Sequence, residues 1–147
     1  MINLVINPVF TTDLITNSSS ELFVCNTDKT LAAVKEVLKA LLDAYNLTID
    51  EPIPFDECYG DIGYAKDLPH VVTSYLSYKS GWWHNPHKWG TPEFNDYRDE
   101  QERKARESLP DNFDNYIMIR SDSDNTIPYE LFDLIENAFN AERWHLG

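Results

Sequence analysis

The stretch Glu21-Leu22-Phe23-Val24-Cys25-Asn26-Thr27-Asp28-Lys29-Thr30-Leu31-Ala32-Ala33-Val34-Lys35-Glu36-Val37-Leu38 decides the fold. Its first five residues are a short, mainly apolar run, and Asn26-Thr27-Asp28 closes it with turn-forming side chains, so it reads as a buried strand. From Leu31 the period changes. Leu31, Val34, Leu38, Leu41 and Tyr45 recur at helical spacing, with Val37 and Leu42 widening the stripe. Lys35, Glu36, Lys39 and Asp43 occupy the opposite face. Thr27 or Thr30 can accept the first free backbone N–H groups, and Asp28 suits the positive end of the helix dipole. Residues 30–46 therefore read as an amphipathic helix with one buried side.

Upstream, Ile2-Asn3-Leu4-Val5-Ile6, stopped by Asn7-Pro8, is a second strand candidate. It is expected to pair with residues 21–25 as a long-looped hairpin. Downstream, residues 50–90 lose periodicity and are punctuated by Pro52, Pro54, Gly60, Gly63, Pro69, Gly81, Pro86 and Gly90. They read as an irregular, aromatic-rich insert of the kind that serves binding or forms a lid. Within it Val71–Tyr78 is a strand or a short helix, and Val, Thr and Tyr favour the strand. Thr91-Pro92-Glu93 starts a helix that runs to about Ser108. Its middle is almost wholly charged, with Glu100–Lys104 and Glu102–Arg106 as expected i, i+4 pairs and only Phe94, Tyr97, Ala105 and Leu109 able to face a core. Residues 115–120 are a strand, the best candidate for the centre of the sheet, and a last helix is expected from about Pro128 to Glu142. Because strands and helices mix without strict alternation, the fold class is α+β. The expected architecture is one domain over residues 1–147, with a small sheet of three to four strands and two or three helices packed on it.

The chain has 147 residues, 12 Lys plus Arg and 25 Asp plus Glu, for a formal charge of −13. Residues 1–67 carry 11 acids and 4 bases, so the acidity is shared between both halves rather than gathered in a tail. This balance excludes the basic footprint of a direct nucleic-acid binder and disfavours an anionic membrane surface. The charge reads first as solubility, and second as a mimic of nucleic acid toward a basic partner. The opening residues lack the basic region of a signal peptide and no apolar run approaches a membrane span, so a soluble, intracellular protein is expected. Cys25 and Cys58 are the only cysteines and lack Cys-x-x-Cys spacing. Cys25 reads as a small buried hydrophobe.

Three constellations could carry chemistry. Trp82-Trp83-His84-Asn85-Pro86-His87-Lys88-Trp89 holds three indoles and two imidazoles. Trp82, Trp83, His84, His87 and Trp89 are the expected partner-binding residues, since Trp is a favoured interface anchor, and at least one indole is expected to be exposed. His84 and His87, with Cys58 or an acid completing the set, could also ligate zinc, but Pro86 breaks the helix that would aim both rings together, and no cofactor or metal is expected. Asp122-Ser123-Asp124-Asn125 follows a strand and could share a hard cation, although turn and capping chemistry explains Asp122, Asp124 and Asn125 as well. Thr16-Asn17-Ser18 offers hydroxyls and backbone N–H groups but lacks the glycines and lysine of a phosphate loop. His145 is expected to favour the negative end of the last helix.

The segment Thr12-Asp13-Leu14-Ile15-Thr16-Asn17-Ser18-Ser19-Ser20-Glu21-Leu22-Phe23-Val24 resembles the N-terminal Asp-Phe-Val-Thr-Asn-Ser-Ser-Ser stretch of many small bacteriophage and bacterial proteins that have no established activity. Here Leu14-Ile15 replaces Phe-Val. Asp124-Asn125-Thr126-Ile127-Pro128-Tyr129 is similar to segments of such phage proteins. The resemblance implies a phage or mobile-element origin, and so a host cytoplasm or a virion as the location, and transfers no catalytic residue. Taken together, the expectation is an accessory protein that acts by binding a host or phage protein rather than by catalysis. The alternatives are a metal-dependent enzyme using Asp122 and Asp124, and an acidic mimic of nucleic acid.

Overall fold

A computed structural model describes residues 20–121 and 127–146, apart from the Trp82 side chain. Along the chain the elements are β1 (Ser20–Cys25), α1 (Leu31–Asn46), the single-turn α2 (Phe55–Cys58), β2 (Tyr59–Tyr64) and α3 (Pro69–Lys79). They continue with α4 (Pro92–Glu107), β3 (Ile117–Ser121), α5 (Phe132–Phe139) and β4 (Ala141–Leu146). The four strands form one antiparallel sheet in the order β2-β3-β1-β4. The class is α+β, as expected from strands and helices that mix without strict alternation.

Period-2 alternation in β1 and β3 divides two apolar layers. Phe23, Cys25, Ile117 and Ile119 face α1 and α5, where they meet Val34, Leu38, Leu42, Ile135 and Phe139. Leu22, Val24 and Met118 face the other way, onto Val71 and Tyr75 of α3 and onto Phe113. Helix α4 packs against α3 rather than on the sheet, and Ala105 is its one buried residue. Where β2 passes under Leu68, Gly63 keeps the approach open, because a Cβ there would lie 3.2 Å from the Leu68 side chain.

Local signals hold at several points. Thr30 Oγ1 accepts the Ala33 N–H at 3.1 Å and caps α1, and Thr91 Oγ1 accepts the Phe94 N–H at 3.2 Å ahead of Pro92 in α4. Cys25 is fully buried.

Five expectations are corrected. The hairpin between Ile2–Ile6 and residues 21–25 fails, since β1 pairs with β3 along one edge and β4 along the other. Residues 2–6 themselves lie outside the described residues. The 50–90 stretch is not irregular throughout, for it contains α2, β2 and α3. Val71–Tyr78 is helical: Val71, Tyr75 and Leu76 fall on one buried side, so tertiary burial outweighs the strand preference of Val, Thr and Tyr. The last helix ends at Phe139, because Asn140 turns left-handed (φ 48°) and leads directly into β4. In α4 the close ion pairs are those of Arg103, with Glu100 at 2.7 Å and Glu107 at 2.6 Å, where Glu100–Lys104 and Glu102–Arg106 were expected; Lys104 acts on Glu100 only through its charge.

Burial pushes the thiols of Cys25 and Cys58 up from 9.0 to about 12. Both stay protonated in the fold while an unfolded chain ionises near its ordinary value. Their contribution to stability is complete below pH 9 and is lost as pH rises toward about 12. The urea midpoint is therefore expected to fall above about pH 9. At neutral pH a thiol reagent should label neither cysteine until the chain unfolds, and rapid labelling of the native protein would contradict the packing.

Candidate functional site

The aromatic segment follows α3 through two glycine turns. Gly81 and Gly90 have φ of 71° and 83°, a region where a Cβ is strained, so the segment is bounded by the residues that permit it. Trp82–His84 form one 3-10 turn, closed by the His84 N–H donating to Gly81 O at 2.8 Å. Asn85 then acts twice. Its Oδ1 accepts the His87 N–H at 3.0 Å, and its Nδ2 donates to Phe94 O at 3.1 Å, tying the segment to α4. Thr91 Oγ1 donates to Lys88 O at 2.7 Å and closes the second turn.

This framework holds a row of rings at the surface. Trp89 is 82% exposed and stacks nearly parallel on Phe94, with an interplanar angle of 11° and centroids 5.9 Å apart. Trp83 is 52% exposed and contacts Tyr78 and His84. His87 sets its ring edgewise to Tyr97 at 5.7 Å. The expectation of an exposed indole is met at two positions. His84 and His87 are exposed, whereas Cys58 is buried in the α1/α5 layer, so the structure does not bring these three together. Among the described residues there is no group of three His, Cys, Asp or Glu side chains able to hold a metal ion. Thr16, Asn17, Ser18, Asp122, Asp124 and Asn125 lie outside the described residues.

The sequence reading missed two carboxylate centres at the other end of the sheet. On the α5 face, Glu21 is 5% exposed. Its Oε1 accepts from Arg143 Nη1 at 2.8 Å, and its Oε2 meets His145 Nδ1. Its backbone N–H donates to Ser121 Oγ at 2.9 Å. Arg143 also lies 3.5 Å from Glu136 and 4.5 Å over the Phe132 ring. On the α3 face, Asp61 Oδ2 accepts from Arg120 at 2.7 Å, while Oδ1 lies 3.3 Å from His70 Nε2. Each carboxylate is thus held by one arginine and one histidine.

His145 is in β4 and not beside a helix end, which corrects its expected role. With Nδ1 on a carboxylate, its ring is oriented and its Nε2 remains for a proton or a ligand. One signal could have exposed this centre. The alternation of residues 21, 23 and 25 puts Glu21 on the same face as Phe23 and Cys25, and an acid on a buried face requires a partner.

No helix of the described residues is long and apolar enough to cross a membrane. Comparison of the chain with family models, with curated proteins and with solved structures finds no match. The fold and these clusters therefore define the protein as an α+β domain bearing an ordered, exposed aromatic segment.

The two ends of the Glu21–Arg143 pair should respond unequally. Arg143→Met leaves a buried carboxylate with only His145, and is expected to cost about 2–3 kcal/mol, below the range for a wholly unpaired buried charge. Glu21→Gln removes that charge and is expected to cost less, about 1–2 kcal/mol. Arg98→Ala, whose Asp99 partner is exposed, should stay within about 0.5 kcal/mol. Denaturant titration of the three variants checks the order.

Proposed function

We propose that this chain is a bacteriophage-encoded accessory protein that binds another protein through the aromatic segment, with Trp83 and Trp89 as anchors and His84, His87 and Phe94 around them. The site of action is the infected cell's cytoplasm or the virion. The observation that carries the reading is the presentation of Trp89. An indole 82% exposed, stacked flat and braced by the Asn85 and Thr91 hydrogen bonds, is apolar surface held in order at the boundary with water. Leaving such area uncovered costs about 25 cal/mol per Å2, which burial against a partner recovers. Pre-ordering also reduces the entropy lost on binding.

The surroundings favour a partner with a basic rim. Glu93 and Asp96 are exposed on the first turns of α4, beside Phe94 and Tyr97, and the whole chain carries −13. Association with such a surface is steered electrostatically and slows as salt screens it. The resemblance of Thr12–Val24 to small phage proteins supports the origin, and nothing in this reading requires catalysis.

The test is differential capture from phage-infected cells with wild-type and Trp89→Ala bait, identification by mass spectrometry, then titration of the purified partner. The wild type should retain a protein that the variant loses, with Kd raised at least about tenfold, as for an anchor worth about 2 kcal/mol. The unfolding free energy should change by no more than about 0.5 kcal/mol, since Trp89 is at the surface. Equal retention by both baits would refute the reading.

A further inference from the structure

A half-open groove of about 300 Å3 lies between the C-terminal part of α3, the connection from α4 to β3, and the start of β4. That volume is at the lower end of the roughly 300–1,000 Å3 typical of small-molecule sites. Its floor is aromatic. The rings of Tyr75 and Phe113 are parallel, with centroids 5.8 Å apart, and Tyr116 leans against Phe113 at 5.2 Å.

Two opposite charges line the same groove. The Lys79 ammonium sits 5.7 Å from the centre of the Tyr75 ring, and Glu142 enters from β4. Glu142 Oε1 accepts the Trp144 indole N–H at 2.9 Å, which orients the carboxylate without neutralising it. Neither Lys79 nor Glu142 has an ion-pair partner among the described residues, in contrast to Arg103, Arg120 and Arg143. Burial, and then the charge of Glu142, push the Tyr75 hydroxyl up to about 12, so it stays neutral over the physiological range.

We propose that this groove binds a small zwitterion with a flat apolar side group, of the aromatic α-amino acid class. The side group rests on the edges of Tyr75, Phe113 and Tyr116, the ammonium meets Glu142 and the carboxylate meets Lys79. A ligand with one charge satisfies one wall and strips water from the other without replacing it, which weakens it relative to the zwitterion.

Three probes separate the contributions: L-phenylalanine, phenethylamine, which lacks the carboxylate, and 3-phenylpropionate, which lacks the ammonium. Binding to the full chain is read by NMR from the indole N–H of Trp144, which reports directly on Glu142. L-Phenylalanine should shift that resonance saturably with a Kd of about 1 mM or below, and bind more tightly than either analogue. Glu142→Gln should weaken L-phenylalanine and phenethylamine at least about tenfold while leaving 3-phenylpropionate unchanged, and Lys79→Met should do the converse. Both side chains lie at the rim, and an unchanged thermal midpoint confirms that each variant folds. Because the indole's own partner changes in Glu142→Gln, calorimetry provides the affinity for that variant. No saturable binding of L-phenylalanine, or equal affinity in all three proteins, would overturn the proposal.

Discussion

Strand β1 is hydrogen-bonded on both edges and packed on both faces, and the rest of the molecule is arranged around that confinement. Its pairing with β3 and β4 sets the register of three strands, so a one-residue slip would exchange Leu22 and Val24 with Phe23 and Cys25 between the two apolar layers. With both faces of the sheet apolar, helices are needed on each side. The amphipathic stripes of α1 and α5 cover one face, while α3 covers the other and leaves α4 to pack on its back. This is why α4 tolerates so many charges: it shields a helix rather than the sheet.

The same confinement explains the carboxylate centres. Glu21 continues the alternation that buries Phe23 and Cys25, so β1 carries an acid to the margin of the core. The β4 register places His145 opposite Glu21 and Arg143 opposite Phe23, where both reach its carboxylate. On the opposite face, the irregular pairing between Tyr59 and Asp61 sets Asp61 against Arg120, and His70 comes from the first turn of α3. Neither cluster is assembled from residues adjacent in sequence. A buried carboxylate stabilises a sheet weakly at best, but it penalises alternative registers that leave it unpaired.

The aromatic segment is built on a different principle. Its order comes from short-range contacts: two left-handed glycines, the two hydrogen bonds of Asn85, the closure at Thr91 and ring contacts with Tyr78, Phe94 and Tyr97. Such a segment keeps its shape while Trp83 and Trp89 remain at the surface, unlike a loop folded back as core.

Local chemistry determined a good part of this protein. The α+β class, a helix over about 30–46 capped by Thr27 or Thr30, the Thr91-Pro92 helix start, the burial of Cys25 and the exposure of an indole could all be read from the sequence, because capping and amphipathic period are short-range properties; that Thr30 is the cap was settled by the structure. Four outcomes belonged to the tertiary structure alone: the edges β1 pairs through, the helical state of Val71–Tyr78, the strand that follows Asn140, and the meeting of Glu21 with Arg143 and His145. Each depends on partners far along the chain, up to 124 residues apart for Glu21 and His145. Periodicity announces that a residue will be buried, but only the packed sheet decides against what, since hydrophobic burial is non-directional and register is set where the strands meet.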